Sequence, residues 1–212
     1  DGNIPMLQKS ARQLLGVGDW QANLEASANG LYFMGIAKYS TGNLREAESI
    51  LEDFFELRFH TIAIIHFMGV AALILCRVHR EANILESNTF KSLESFVQQQ
   101  RHPFYNMFLE AFRTELIWRT GDVARAAERA SEIINIPLTP LSNFYSPHLT
   151  RIKALISTGL EEDLTRAESG ILEVQHLLEA TNNFRFRIDL DLLRSQLYSK
   201  LENKDLEKAN LS

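Results

Sequence analysis

The sequence predicts an all-α chain built of helical hairpins stacked side by side, and three observations predict it. Apolar residues recur at helical spacing along nearly the whole chain. In GLYFMGIAKYSTGNLREAESIL (residues 30–51) small residues flank a glycine turn, Gly35 lying seven before Gly42 and Ala47 five after it. The turn chemistry then returns: Thr120-Gly121-Asp122-Val123 matches Thr41-Gly42-Asn43-Leu44, and Ala126 again follows its glycine at five. A helix brings side chains to one face every three to four residues, and residues without bulk let two helices approach closely. Such a hairpin cannot bury its apolar face alone, so copies must stack beside it.

Taken in order, Ile4 to Leu15 reads as a short amphipathic helix with Pro5 tolerated in its first turn. Gly16-Val17-Gly18-Asp19 breaks it, and Trp20 to Tyr39 follows as one long helix with Gly30 its weak point. Leu44 to Leu57 completes the opening hairpin, before which the first helix acts as a partial, capping repeat. Ile62 to Cys76 is the most apolar run. It is too short for a bilayer, which takes about 20 apolar residues, and His66 interrupts it, so a central helix covered on both faces is expected.

A polar turn spans Arg77 to Glu86, and Ser87 or Asn88 caps a helix to Gln100. Pro103 opens the next helix, which runs to Arg119. Gly121 lies 79 residues after Gly42, two units of about 40, with a degenerate middle turn near Glu81 and Gly69 as that unit's small residue. Pro137 and Pro140 end the third hairpin, and Pro147 restricts the following helix to its later part, ending at Thr158. Gly159 turns the chain into Glu161 to Ala180, and Asn182-Asn183 ends that helix. A last hairpin is expected from Phe184 to Leu201 and Asp205 to Leu211, with Lys204 where the glycine would be.

The totals narrow the function classes. A net charge of −5 argues against a general binder of nucleic acid or of anionic membrane. One cysteine, Cys76, excludes an intrachain disulfide framework and fits a reducing compartment, so a cytoplasmic location is expected. No signal-peptide core is visible, and the absent initiator Met suggests a fragment or a processed chain.

Gly35, Gly42 and Ala47, then Gly121 and Ala126, resemble the tetratricopeptide repeat, with its small residue in the first helix, Gly or Asn turn, and Ala in the second. The resemblance covers roughly Asn29 to Ala209. It implies a right-handed α-α superhelix of about five hairpins, occupying residues 1–212 as one domain. The family's period is 34; units here run about 38 to 45 and lack the turn glycine at Glu81 and Lys204. Longer units of this kind look like the sensor regions of MalT-type regulators, the large ATP-binding relatives of LuxR. The phosphate loop and helix-turn-helix of that type lie outside its sensor, and neither occurs in this chain.

Catalytic patterns do not emerge, and no enzyme is expected. The six histidines are scattered, none at metal-site spacing, so neither a metal nor a cofactor is expected. Glu161-Glu162-Asp163 sits where a helix N-terminus favours negative charge. The acidic stretch Glu46, Glu48, Glu52, Asp53 and Glu56 reads as a solvated face, with a docking surface as the alternative.

In tetratricopeptide arrays, first-helix residues at set offsets from the small position line a concave groove. Carried onto this chain, the resemblance implies a groove set that includes Tyr32, Tyr39, His66, Glu115, Trp118, Lys153, Arg194 and Tyr198. Aromatics with occasional charges suit recognition; packing between helices is the competing explanation for each. His66, in so apolar a helix, fits a satisfied core histidine better, while Tyr39 and Trp118 lead the groove set.

The expected role is a sensor or effector-binding region, taking a small molecule or a protein segment and contacting other domains of its own polypeptide. Direct contact with nucleic acid or membrane is not expected. A stand-alone adaptor holding a peptide in its groove is the alternative.

Overall fold

Helices form every regular element in the described part of a computed structural model, which covers residues 4–16, 23–81, 83–133, 144–181 and 186–210 (backbone only at 181 and 203–210). They are α1 (Ile4–Gly16), α2 (Leu24–Ser40), α3 (Leu44–Leu57), α4 (Ala63–Arg77), α5 (Asn88–Gln100), α6 (Pro103–Arg119), α7 (Val123–Ala130), α8 (Pro147–Thr158), α9 (Glu161–Thr181) and α10 (Arg187–Asn210). Short 3-10 turns follow at Arg58–His60 and Ile84–Glu86. No strand occurs among the described residues. The chain divides into two compact units, Gly2–His102 and Pro103–Ser212, and each is described by itself.

The two glycine turns close with the same hydrogen bonds. In the first, Gly42 N–H donates to Tyr39 O (3.0 Å), Asn43 N–H to Lys38 O (3.0 Å) and Leu44 N–H to Gly42 O (2.9 Å). In the second, Gly121 donates to Trp118 (3.1 Å), Asp122 to Ile117 (3.2 Å) and Val123 to Gly121 (2.9 Å). Thr41 and Thr120 also match, each hydroxyl donating to the carbonyl three residues back. Both glycines have positive φ, 76° and 93°, which a side chain would strain. The internal sequence match is thus a repeated local structure.

In the first unit α1 packs on α2, α2 on α3, α3 on α4 and α4 on α5, and α2 also touches α4. Every residue from His66 to Cys76 is buried, so the apolar run is the unit's central helix. Where α2 and α3 cross, a Cβ on Gly35 would lie 2.6 Å from Leu51 Cδ2. The small point at Gly69 serves α3: Phe54 occupies the space beside it. Gly30, expected as a weak point, is a contact point, since a Cβ there would lie 2.8 Å from Leu15 Cγ on α1.

The second unit repeats the scheme. α6 packs against α7 and α8, α7 against α8, α8 against α9 and α10, and α9 against α10. Sequence neighbours pair, and first helices of successive hairpins also touch. Ala47 and Ala126 are fully buried, as small second-helix residues should be.

Helix starts follow the capping chemistry. Ser87, not Asn88, caps α5, accepting from Phe90 N–H at 3.2 Å. Asn23 Oδ1 caps α2 through Ala26 N–H (3.0 Å) and Asp122 Oδ1 caps α7 through Arg125 N–H (3.3 Å). α2 therefore begins at Leu24, and Trp20 to Ala22 of the expected longer helix lie outside the described residues. Pro147 stands in the first turn of α8, where its missing N–H costs nothing, and Gly159 ends that helix at φ 69°.

One expected hairpin is absent. α10 runs unbroken through Lys204, so the turn placed there does not exist. Lys200 to Asn210 contains neither Gly nor Pro, and its Leu, Glu, Lys and Ala favour helix. The breaks assigned to Gly18, to Pro137 and Pro140, and to Asn182-Asn183 lie outside the described residues.

The acidic stretch on α3 is partly neutralised. Arg77 pairs with Glu48 (2.9 Å) and with Glu52, Arg80 with Glu48, and Lys38 with Glu46 (2.8 Å). Arg77 also donates to Thr89 Oγ1 at 3.1 Å, tying α3, α4 and α5 together.

Candidate functional site

Among the sequence-selected residues, the structure brings Glu115 and Trp118 of α6 together with Lys153 of α8. Glu115 is only 1% exposed. A buried carboxylate requires partners, and here it has three. Lys153 Nζ approaches Oε1 at 3.2 Å, Arg119 Nε at 2.8 Å, and the Thr150 hydroxyl donates to Oε2 at 2.7 Å. Behind them, Thr150 Oγ1 lies 3.0 Å from the Tyr145 hydroxyl. Burial works to raise the Glu115 carboxyl, but Lys153, Arg119 and the hydrogen bonds from Thr150 and Arg119 outweigh it and hold it below the usual carboxylate range. Burial, then the Glu115 charge, pushes the Tyr145 phenol well above its ordinary value.

Trp118 lies one turn along α6 from Glu115. Its indole Nε1–H donates to Ser157 Oγ at 2.7 Å, and Ser157 in turn donates to Lys153 O at 2.7 Å. Lys153 Nζ is 5.7 Å from the centroid of the Trp118 ring, within cation–π reach. Trp118 and Lys153 are half-buried. The result is a buried carboxylate, two cations and a clamped indole held between adjacent first helices. Two cations against one carboxylate leave the cluster with one excess positive charge.

Arg194 and Tyr198 stand elsewhere on α10. Arg194 donates to Gln175 Oε1 at 2.6 Å and approaches Asp191 at 3.6 Å, while Tyr198 is 48% exposed. In the first unit, Tyr39 is half-buried near the end of α2. Tyr32 is inside the core, 4% exposed, with its ring 5.9 Å from Phe54, and burial raises its phenol. As placed, Tyr32 is a packing residue.

His66 is buried too, and its ring packs between aromatics. Its ring stacks on Phe96 at 3.7 Å and meets the edge of Phe59 at 5.2 Å. Nε2 is buried with no hydrogen-bond partner among the described residues. Burial pushes the imidazole down to about 4, and the Arg58 guanidinium adds to this against a backbone hydrogen bond at Arg58. Cys76 is buried beside Glu48, and burial first, then that charge, pushes its thiol up to about 11, an inert environment.

Sequence reasoning missed Arg119, Tyr145, Thr150 and Ser157. Arg119 carried a signal, standing four residues after Glu115 in the favourable orientation for a helix pair. Thr150, Lys153 and Ser157 lie at helical spacing on α8. Tyr145 precedes α8 and carried none.

Cavities of the second unit include one beside Arg194, of about 40 Å³, and two larger ones. One, of about 240 Å³, lies against α6 and the end of α7; the other, a groove of about 590 Å³, runs along Val123, Ala124 and Ala127 beside Leu160. No group of three or more His, Cys, Asp or Glu gathers for a metal among the described residues, and no described helix is long and apolar enough to cross a membrane. No protein-family model, curated protein or solved structure matches the chain.

Proposed function

We propose that this chain is a non-catalytic recognition module of tetratricopeptide type, serving as the effector-binding region of a multidomain signalling protein, of the MalT-like, LuxR-related kind. The carrying observation is the Glu115–Lys153–Trp118 cluster, held between the first helices of successive hairpins. The duplicated glycine turns support the repeat reading, and continuation of the hairpins as one right-handed superhelix belongs to the same proposal. Its ligand is a small-molecule effector or a protein segment, and its other partners are domains of the same polypeptide. Ligand binding shifts the array between two arrangements and thereby biases the attached domains. The module works in the cytoplasm and touches neither nucleic acid nor membrane directly.

A small-molecule screen by thermal shift identifies the ligand, and Trp118→Ala and Tyr39→Ala then weaken its binding while the domain stays folded. Normal binding by both variants, with a large loss of stability, assigns those residues to packing and removes the groove. The second reading is a stand-alone adaptor for a peptide. The reading frame decides between them: a phosphate loop upstream and a helix-turn-helix downstream support the regulator, and a start just before Asp1 with a stop just after Ser212 supports the adaptor.

A further inference from the structure

The cavity of about 240 Å³ beside α6 shares no residue with the Glu115 cluster. It is smaller than the clefts that take drug-sized ligands, so its size suits a small metabolite. Met107 and Ile133 supply an apolar wall, and Glu110, Arg129 and Glu132 supply charge. Arg129 reaches Glu110 through Nη2, while its Nε is buried with no hydrogen-bond partner among the described residues. A buried N–H without an acceptor is costly and marks a place for one. Glu132 is exposed and has no ion-pair partner among the described residues.

This lining discriminates among ligand classes. A simple carboxylate would suit Arg129 but meet repulsion from Glu110 and Glu132. A simple amine would suit the glutamates and leave the Arg129 Nε–H without an acceptor. A molecule carrying both groups on one carbon, with a short aliphatic side chain for Met107 and Ile133, satisfies all of them. We propose that this cavity binds a free aliphatic α-amino acid, its carboxylate on Arg129 and its ammonium between Glu110 and Glu132. The site stands independently of the groove reading above.

Calorimetric titration of the whole chain tests this with L-valine, L-leucine and L-methionine as probes. The controls are 4-methylpentanoate, which is leucine without its amine, and 3-methylbutylamine, which is leucine without its carboxylate. At least one amino acid is expected to bind with a Kd below about 1 mM, and both controls at least about tenfold more weakly, the loss of one charged hydrogen-bonded group. Arg129→Gln and Glu132→Gln each reduce affinity by about the same factor, and Leu172→Ala, at an exposed position on α9, leaves it unchanged. Should Arg129→Gln fail to fold, Glu132→Gln carries the test, because Glu132 is exposed. No binding by any of the three amino acids, or equal binding by either control, overturns the proposal. Loss of amino-acid binding in Trp118→Ala alone would move the ligand to the Glu115 cluster and overturn it equally.

Discussion

Gly69 of α4 lies directly against the ring of Phe54 on α3: a Cβ at that position would come within 2.2 Å of Phe54 Cε1. Both sit in the first unit's core, and Phe54 is fully buried. Two consequences oppose each other in Gly69→Ala. The helix gains about 1 kcal/mol of propensity, and the packing loses roughly 1–3 kcal/mol, because a buried ring cannot step aside without displacing its neighbours. The clash is deep, so the net expectation is a lower urea midpoint. Phe54→Leu in the same chain should recover part of the loss, and a Gly69→Ala variant as stable as the parent would show that the ring can move.

Arg101 ends α5 in the left-handed region, at φ 50°. A side chain there costs about 1–2 kcal/mol, against about 0.5–1 kcal/mol for the freedom that glycine brings to the unfolded chain. Arg101→Gly is therefore expected to raise stability by roughly 0.5–1 kcal/mol. Denaturant unfolding reads this directly, with no change expected in far-UV circular dichroism.

His66 gives the first unit a pH dependence of definite sign. Unfolded, the imidazole takes up its proton near its ordinary value of 6.5, and folded only near 4. Between those values the unfolded chain binds more protons, so stability is intact above pH 6.5 and falls as pH drops toward 4. The full loss is on the order of 3 kcal/mol. His66→Phe keeps the stack on Phe96 without the proton, and its urea midpoint should decline less than the parent's between pH 7 and pH 4.5. Parallel declines would place the proton elsewhere.

Much of the fold was legible because it is written in local chemistry. Gly42, Gly121 and Gly159 announce turns through a backbone conformation that other residues resist, and Ser87 and Pro147 mark helix starts through their hydrogen-bonding capacity. Lys204 is the complementary case: the repeat period predicts a turn there, but no turn residue stands at that place and local propensity prevails. Which of the selected side chains come together was legible only in part. Spacing along a helix fixes which face a residue occupies but not what covers it, so Tyr32 and Trp118 look alike in sequence. One is inside the core and the other is clamped by Ser157. Tyr145 joins the Glu115 cluster from outside the helices, through tertiary packing that no periodicity encodes.

Glu115 separates a structural from a recognition role for its cluster. Replacing it with glutamine keeps the shape, removes the negative charge and leaves Lys153 and Arg119 without a counter-ion. Breaking a fully buried pair costs about 3–5 kcal/mol, but both cations are about a quarter exposed, with side-chain values of 24% and 23%, so solvent recovers part of that. Glu115→Gln is expected to cost roughly 1–3 kcal/mol. The sign with pH is also fixed. The folded carboxyl is held below its ordinary value, so its contribution is present above about pH 4.5 and is lost as pH falls through the folded value. Lys153→Met in the Glu115→Gln background removes the stranded ammonium and should restore part of the stability, a coupling that a double-mutant cycle measures. Additive losses would mean that Glu115 and Lys153 do not act on each other, and the cluster would then have no electrostatic centre on which a ligand could be read.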